Sequence, residues 1–201
     1  ILAELNRIGI LIPIRHAANS AGVLAHPGTT LDMVRPGIIL YGILPTRDIR
    51  SDGIRLQPAM SLKAHVIHVK EITAGMAGSY NRKWVAGRTS RIATIPIGYA
   101  DGYSRLFTNR AEVLVHGCRA PVVGTVCMDQ CMVDVTDVPE EVLPGDEVVL
   151  FGEQGGAHLG VEELADWAGT IPYEIVCLIG KRIPRIYKRA GSIVHIHNYL
   201  L

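Results

Sequence analysis

Residues 61–72, "SLKAHVIHVKEI", alternate apolar and polar side chains over most of their length. A period of two marks a strand with one face on a core and the other on solvent. Short strand candidates follow downstream in "RIATIPIGYADG" (91–102), "AEVLVHG" (111–117), "APVVGTVC" (120–127), "QCMVDV" (130–135) and "DEVVLFG" (146–152), with glycine-bearing turns between them. Many short strands at this spacing predict an antiparallel β domain of barrel or sandwich type from Pro58 onward. "GVEELADWAGTIPYEIVCLIG" (160–180) breaks the run and reads as helices, with Val161, Leu164, Ala165 and Ala168 on one face. "RIPRIYK" (182–188) and "SIVHIHNYL" (192–200) return to strand.

The texture upstream differs. "ILAELNRIGI" (1–10) has the spacing of an amphipathic helix, with Leu2, Leu5 and Ile8 on one side. "LIPIRHA" (11–17) and "LDMVRPG" (31–37) are strand candidates, "NSAGVLAHP" (19–27) is a helix opened by good N-cap residues and stopped at Pro27, and "GIILYG" (37–42) is a short helix. Helix–strand–helix–strand–helix is the order of a parallel α/β fold. Two such units can neither close a barrel nor cover both faces of a parallel sheet, so residues 1–45 are expected to lean on further sequence. Polar residues 46–57, "TRDIRSDGIRLQ", form a linker to the β domain at 58–201. The chain opens on Ile1 with no signal-peptide pattern, and is expected to be part of something longer.

Composition narrows the function classes. The 201 residues are 48% hydrophobic and 19% charged, the balance of a folded protein. A net charge of +1 leaves no electrostatic footprint for nucleic acid or anionic membrane, and 5% aromatics provide few base-stacking platforms. Apolar runs such as "GIILYGILP" (37–45) are too short to span a bilayer. Cys118, Cys127, Cys131 and Cys177 suit a reducing compartment. "CMDQC" (127–131) has a zinc-compatible spacing but no second ligand pair, so no metal is expected. "HIH" (195–197) puts two imidazoles on one face of what reads as an exposed edge strand.

Two features invite chemistry. Arg35, inside the apolar decamer "MVRPGIILYG" (33–42), cannot give up its proton and needs an acceptor if buried. A core carboxylate or a head reaching solvent would satisfy it. Asn19 and Ser20 stand at a strand-to-helix junction, where they serve either as simple caps or, with the glycine turn at Gly37, as one of two successive anion-binding βα loops.

The motifs "HAANSAG", "MVRPGIILYG", "SLKAHVIHVKEI", "GSYNRKW", "ATIPIGYADGY", "APVVGTVCMDQCMVDV", "GDEVVLFG" and "TIPYEIVCLIGKRIPRIY", in this order, strongly resemble bacterial alanine racemase, a fold-type III pyridoxal-phosphate enzyme. The resemblance covers essentially the whole chain. It implies the last two βα units of a (β/α)8 barrel followed by the complete, mainly antiparallel β domain with short helices. It also implies a cytoplasmic homodimer with shared active sites, interconverting L- and D-alanine for peptidoglycan synthesis.

The resemblance assigns roles position by position. Asn19, Ser20, the backbone N–H groups of Gly37 and Ile38, and the Tyr173 hydroxyl would bind the phosphate of pyridoxal 5'-phosphate. Arg35, supported by His16, would donate to the pyridine nitrogen. Tyr80 would be one of two acid/base groups, the other being the lysine that carries the cofactor. Met128 would contact the substrate carboxylate through its backbone N–H, with Asp129 and Tyr99 at the entrance. From the residues alone Tyr80 is a turn tyrosine; only the family pattern promotes it. The family usually has glycine after this tyrosine, and here Asn81 follows, a residue that tolerates a left-handed turn. The five lysines, Lys63, Lys70, Lys83, Lys181 and Lys188, lie in the β domain outside the cofactor-lysine motif, and the barrel arginine that bonds the catalytic tyrosine is also absent. The chain alone is therefore expected to be inactive. A racemase of another small amino acid such as serine, or a non-catalytic β module for dimerisation or binding, are the competing readings.

Overall fold

The computed structural model describes residues 1–46, 48–49 and 53–200, so residues 47 and 50–52 of the expected linker lie outside the described residues. The chain divides into two compact units, Ile1–Met60 and Ser61–Leu201.

In the first unit, helix α1 (Leu2–Arg7) buries nothing, and helix α2 (Ser20–Ala25) starts where the Asn19 carboxamide accepts the Gly22 N–H at 3.0 Å. The two expected strands are reduced to one parallel bridge, His16 beside Met33, flanked by Arg35 N–H to Ala18 carbonyl (2.8 Å) and Asp32 N–H to Arg15 carbonyl (3.0 Å). The sequence pattern overstated regular structure here for a physical reason. Parallel strands are stable when both faces are covered, and within this unit Leu11 (78% exposed), Ile12 and Ile14 have no cover. A 3₁₀ turn at Ile38–Tyr41 takes the place of the expected short helix.

The second unit contains β1 (Leu62–His65), β2 (His68–Ile72), β3 (Ala77–Gly78), β4 (Trp84–Val85), β5 (Ser90–Ile95), β6 (Glu112–Val115), β7 (Cys118–Val123), β8 (Cys131–Asp134), β9 (Glu147–Gln154) and β10 (Ala157–Leu159). Helices α3 (Val161–Ala168) and α4 (Pro172–Leu178) follow, then the hairpin β11 (Arg185–Arg189) and β12 (Ser192–His197). The main antiparallel sheet runs β1-β9-β6-β7-β8-β5-β2, with β10 on β9.

Residues 61–72 explain its shape. They are not one strand: the alternation slips at Val66–Ile67, where Val66 N–H bonds to Asp146 and Ile67 N–H to Thr94. The run thus passes from one edge of the sheet to the other. Laid flat, those edges would lie roughly 29 Å apart at about 4.8 Å per strand, a span two residues cannot cover. The sheet must roll up, and β1 and β2 close it. Strands β6 and β9 are buried on both faces, through Val113–Val115 and Val148–Phe151, and α3 lays Leu164 and Ala165 over β9. A second small core, Ile72, Ala86, Ile92 and Val123 with Trp84 and Met132, lies beside the β3–β4 hairpin. Among the described residues, no helix is long and apolar enough to cross a membrane.

Candidate functional site

The candidate residues fall in both units. In the first, the two loops expected to bind an anion meet: the Gly37 N–H donates to the Ser20 hydroxyl at 2.8 Å, and Ser20 is buried. The 3₁₀ turn that begins at Ile38 has no side-chain cap, which leaves its N-terminal N–H groups for another acceptor. Asn19 uses its carbonyl oxygen as the N-cap of α2, so its amide donors remain available.

Arg35 is exposed within this unit rather than buried, which corrects the premise that it needs a partner because it is enclosed. Its guanidinium contacts Nδ1 of His16. Arginine carries only donors, so His16 must accept at Nδ1 and hold its own proton on Nε2. That bond fixes the direction of the guanidinium and leaves its other N–H groups free to donate.

In the second unit, the loop between β7 and β8, residues 124–130, organises the rest. Tyr80 heads a turn in which Ser79 (φ 65°), Asn81 (φ 60°) and Arg82 (φ 51°) all lie in the left-handed region. Asn81 thus adopts the conformation its side chain tolerates best after glycine. Two hydrogen bonds pin the turn to buried Thr125: the Ser79 hydroxyl donates to its carbonyl (3.0 Å), and its own hydroxyl donates to the Tyr80 carbonyl (3.3 Å). The Tyr80 ring itself is 68% exposed, a phenol presented outward on an anchored backbone.

The same loop continues into a tight turn, closed by Cys127 N–H to Gln130 carbonyl (2.9 Å), with Met128 and Asp129 at its tip. The Tyr99 turn lies on it: Tyr99 N–H donates to Cys127 (3.0 Å) and Ala100 N–H to Met128 (2.9 Å). Close approach requires Gly98, since a Cβ there would stand 2.2 Å from the Cys127 carbonyl oxygen. Asp101, 4% exposed, accepts the Gly98 N–H (3.0 Å) and pairs with Arg182 at 3.2 Å. Its backbone carbonyl also accepts the Gly180 N–H, which ties the end of α4 to the Tyr99 turn. Tyr173 occupies the first turn of that helix and is part-exposed.

Cys131, expected only as a weak metal candidate, is buried, and burial pushes its thiol well above the ordinary range. Cys127 donates weakly to the Thr125 carbonyl (3.4 Å). The imidazoles of His195 and His197 share a face of the terminal hairpin, their ring centroids 6.1 Å apart.

Sequence reasoning did not single out Ser79, Thr125, Gly98 or Asp101. For Gly98 and Asp101 a signal existed: an aspartate three residues after a turn glycine, ready to accept its N–H. Thr125 carries no comparable local mark.

The chain thus has one unit in which two loops meet at Ser20 and Gly37 and an antiparallel β unit with an outward tyrosine turn, and comparison with known proteins gives their family. The alanine racemase C-terminal domain profile matches residues 59–187 and the N-terminal domain profile residues 1–45. The alanine racemase of Clostridium novyi is 45% identical over 196 residues, covering 98% of this chain and 51% of that protein. The crystal structure of alanine racemase from Bacillus anthracis with bound L-Ala-P superposes with a TM-score of 0.92 at 42% identity, over 99% of this chain and 51% of that one. Alanine racemase from Bartonella henselae with covalently bound pyridoxal phosphate gives 0.76 at 33% identity, over 89% and 48%. The chain belongs to the alanine racemase family. It spans about half the length of the curated relatives it matches.

Proposed function

We propose that the chain supplies the second half of a pyridoxal-phosphate-dependent alanine racemase, working in the cytoplasm as a homodimer that makes D-alanine for peptidoglycan. Residues 1–45 would be the last two βα units of the barrel and 58–201 the β domain. The observation that carries the reading is the Tyr80 turn, a backbone pinned at Thr125 with an outward phenol, on the same loop that bears the Met128–Asp129 turn.

The residues present suit the cofactor. The Ser20 hydroxyl, which accepts the Gly37 N–H and keeps its own proton to donate, forms with the Asn19 amide donors and the Ile38 N–H a donor set of the kind a phosphate needs, to which the resemblance would add the Tyr173 hydroxyl. Arg35, aligned by His16, supplies a permanent hydrogen-bond donor to a ring nitrogen and will not protonate it, because an arginine keeps its proton in a protein. Bound there, pyridoxal phosphate would supply the electron sink that makes the α-proton of an amino acid labile. An aspartate in place of Arg35 would accept from and so stabilise a protonated ring, strengthening that sink; arginine keeps it moderate and limits side reactions.

Tyr80 gives or takes the α-proton on one face. The group on the other face is the lysine that carries the cofactor in the racemase pattern, and it is not among the five lysines of these residues. A free tyrosine titrates near about 10, so its use as a base needs cations beside it in the assembled site. The Met128 N–H holds the substrate carboxylate, and Tyr99 and Asp129 line the entrance. In the proposed dimer these β-domain groups serve the barrel of the partner subunit.

The test is racemisation by the full-length protein supplied with pyridoxal phosphate, with L-alanine and L-serine run side by side and followed by polarimetry. Cofactor-dependent loss of rotation with alanine as the better substrate is expected. Cofactor binding without racemisation of alanine would overturn the reading, and a preference for serine would correct its substrate.

A further inference from the structure

The Tyr80 turn carries three non-glycine residues at positive φ, a conformation that persists only where surrounding structure over-determines it. Thr125 holds its first half, through Ser79 and the Tyr80 carbonyl. The second half needs its own anchor. Asn109 provides it: its side-chain amide donates to the Lys83 carbonyl at 3.2 Å, and its side-chain oxygen accepts the Gly124 N–H at 2.6 Å.

Asn109 therefore bridges the end of the tyrosine turn to the residue just before Thr125. The contact at Gly124 is close, since a Cβ there would stand 2.5 Å from Cβ of Ser79. On the other side of Thr125, the Thr108 hydroxyl accepts the Val126 N–H at 3.1 Å. Neighbours 108 and 109 thus hold both flanks of the residue that holds Tyr80. Asn109 itself sits at φ 54°, in the left-handed region. The position asks for three properties at once: tolerance of positive φ, an acceptor and a donor. Asparagine has all three, whereas aspartate keeps the first two and loses the donor.

We infer that Asn109 is a positioning residue for Tyr80, fixing the height and direction of its phenol through the Lys83 carbonyl and Gly124. The inference rests on the reading of Tyr80 as an acid/base group. It assigns Asn109 no contact with substrate or cofactor.

The test compares Asn109→Asp, Asn109→Gly, Thr108→Val and Thr108→Ser with Tyr80→Phe in full-length protein carrying pyridoxal phosphate. Racemisation is measured in both directions with ordinary and α-deuterated alanine. Asn109→Asp should lower kcat about 10- to 100-fold, the scale of a small misplacement, with KM nearly unchanged. Its primary isotope effect should grow in the one direction in which Tyr80 removes the proton, a change that a merely structural lesion would not confine to one direction. Thr108→Val should shift the same readout, with Thr108→Ser restoring it. Wild-type kcat and isotope effects in Asn109→Asp, while Tyr80→Phe is impaired, would overturn the positioning role and leave the tyrosine reading intact. Normal activity in Tyr80→Phe would remove the tyrosine reading, and the inference with it. If Asn109→Asp fails to fold, Asn109→Gly and the Thr108 pair decide, and normal isotope effects in Thr108→Val then overturn it.

Discussion

At the scale of residues, Arg119 shows how much of the β domain rests on side chains that no motif announces. Its guanidinium grips Glu163 with two nitrogens (2.8 and 3.0 Å), Glu112 at 3.0 Å and the His158 carbonyl at 3.1 Å. Glu163 in turn accepts the Gly160 N–H that opens α3. Arg119 holds the Glu163 carboxyl below its ordinary value of 4.5. A depressed carboxylate pKa adds stability above the unfolded value and loses it as pH falls through the folded one. Both side chains are about two-fifths exposed, so solvent screening keeps the pair to roughly 1 kcal/mol or less. Urea unfolding should find Arg119→Met less stable by about that amount at neutral pH, with the gap closing below 4.5. A gap that persists in acid would mean that packing rather than charge is lost. Arg35 was legible differently. Its chemistry demanded an acceptor only if buried; it is exposed within its unit, and nothing local revealed that the acceptor it does meet, His16, lies 19 positions away on the neighbouring segment.

At the scale of elements, alternation marked strands that bury one face, as in β8, whereas β6 and β9 are buried on both faces and read as continuous apolar runs. The break at Val66–Ile67, where the run crosses between the edges of the sheet, was not read from the pattern. The parallel segments were less legible. Their apolar residues read as strand, yet what makes such residues a strand is cover on both sides, and Leu11, Ile12 and Ile14 have none within their unit. The site was legible where a residue acts through its own chemistry, as with Asn19 and Ser20. It was hidden where one turn lies on another. Gly98 is such a case: its φ is −153°, ordinary extended backbone, and the constraint comes from the Met128 turn pressed against it. Gly98→Ala should therefore cost about 1–3 kcal/mol by overpacking. It should also raise KM for alanine more than it lowers kcat, because the Cys127 carbonyl it displaces belongs to the same peptide as the Met128 N–H proposed to hold the carboxylate. Thermal unfolding and steady-state kinetics check both, and an unchanged KM would detach the Tyr99 turn from substrate binding.

At the scale of the whole molecule, the two units differ in self-sufficiency. Residues 61–200 close their own sheet and bury a contiguous core, so a fragment covering this unit should unfold cooperatively in urea. Residues 1–60 bury few apolar side chains and leave Ile8, Ile10, Leu11 and Ile14 exposed, so that fragment should show no cooperative transition. Circular dichroism against urea distinguishes the two, and a cooperative first unit would refute the claim that its elements depend on further cover. That dependence is also why the first unit was readable from resemblance more than from pattern, whereas the β domain was readable from both. The central claim is that Tyr80, presented by the β domain, exchanges a proton with the α-carbon of alanine. The most direct measurement is racemisation, with exchange of the α-hydrogen into deuterated water, by full-length Tyr80→Phe loaded with pyridoxal phosphate. Racemisation should fall about 10²- to 10⁴-fold, the usual worth of a positioned acid/base group, while exchange with retention from the enantiomer served by the other group persists. Racemisation at the wild-type rate would contradict the account.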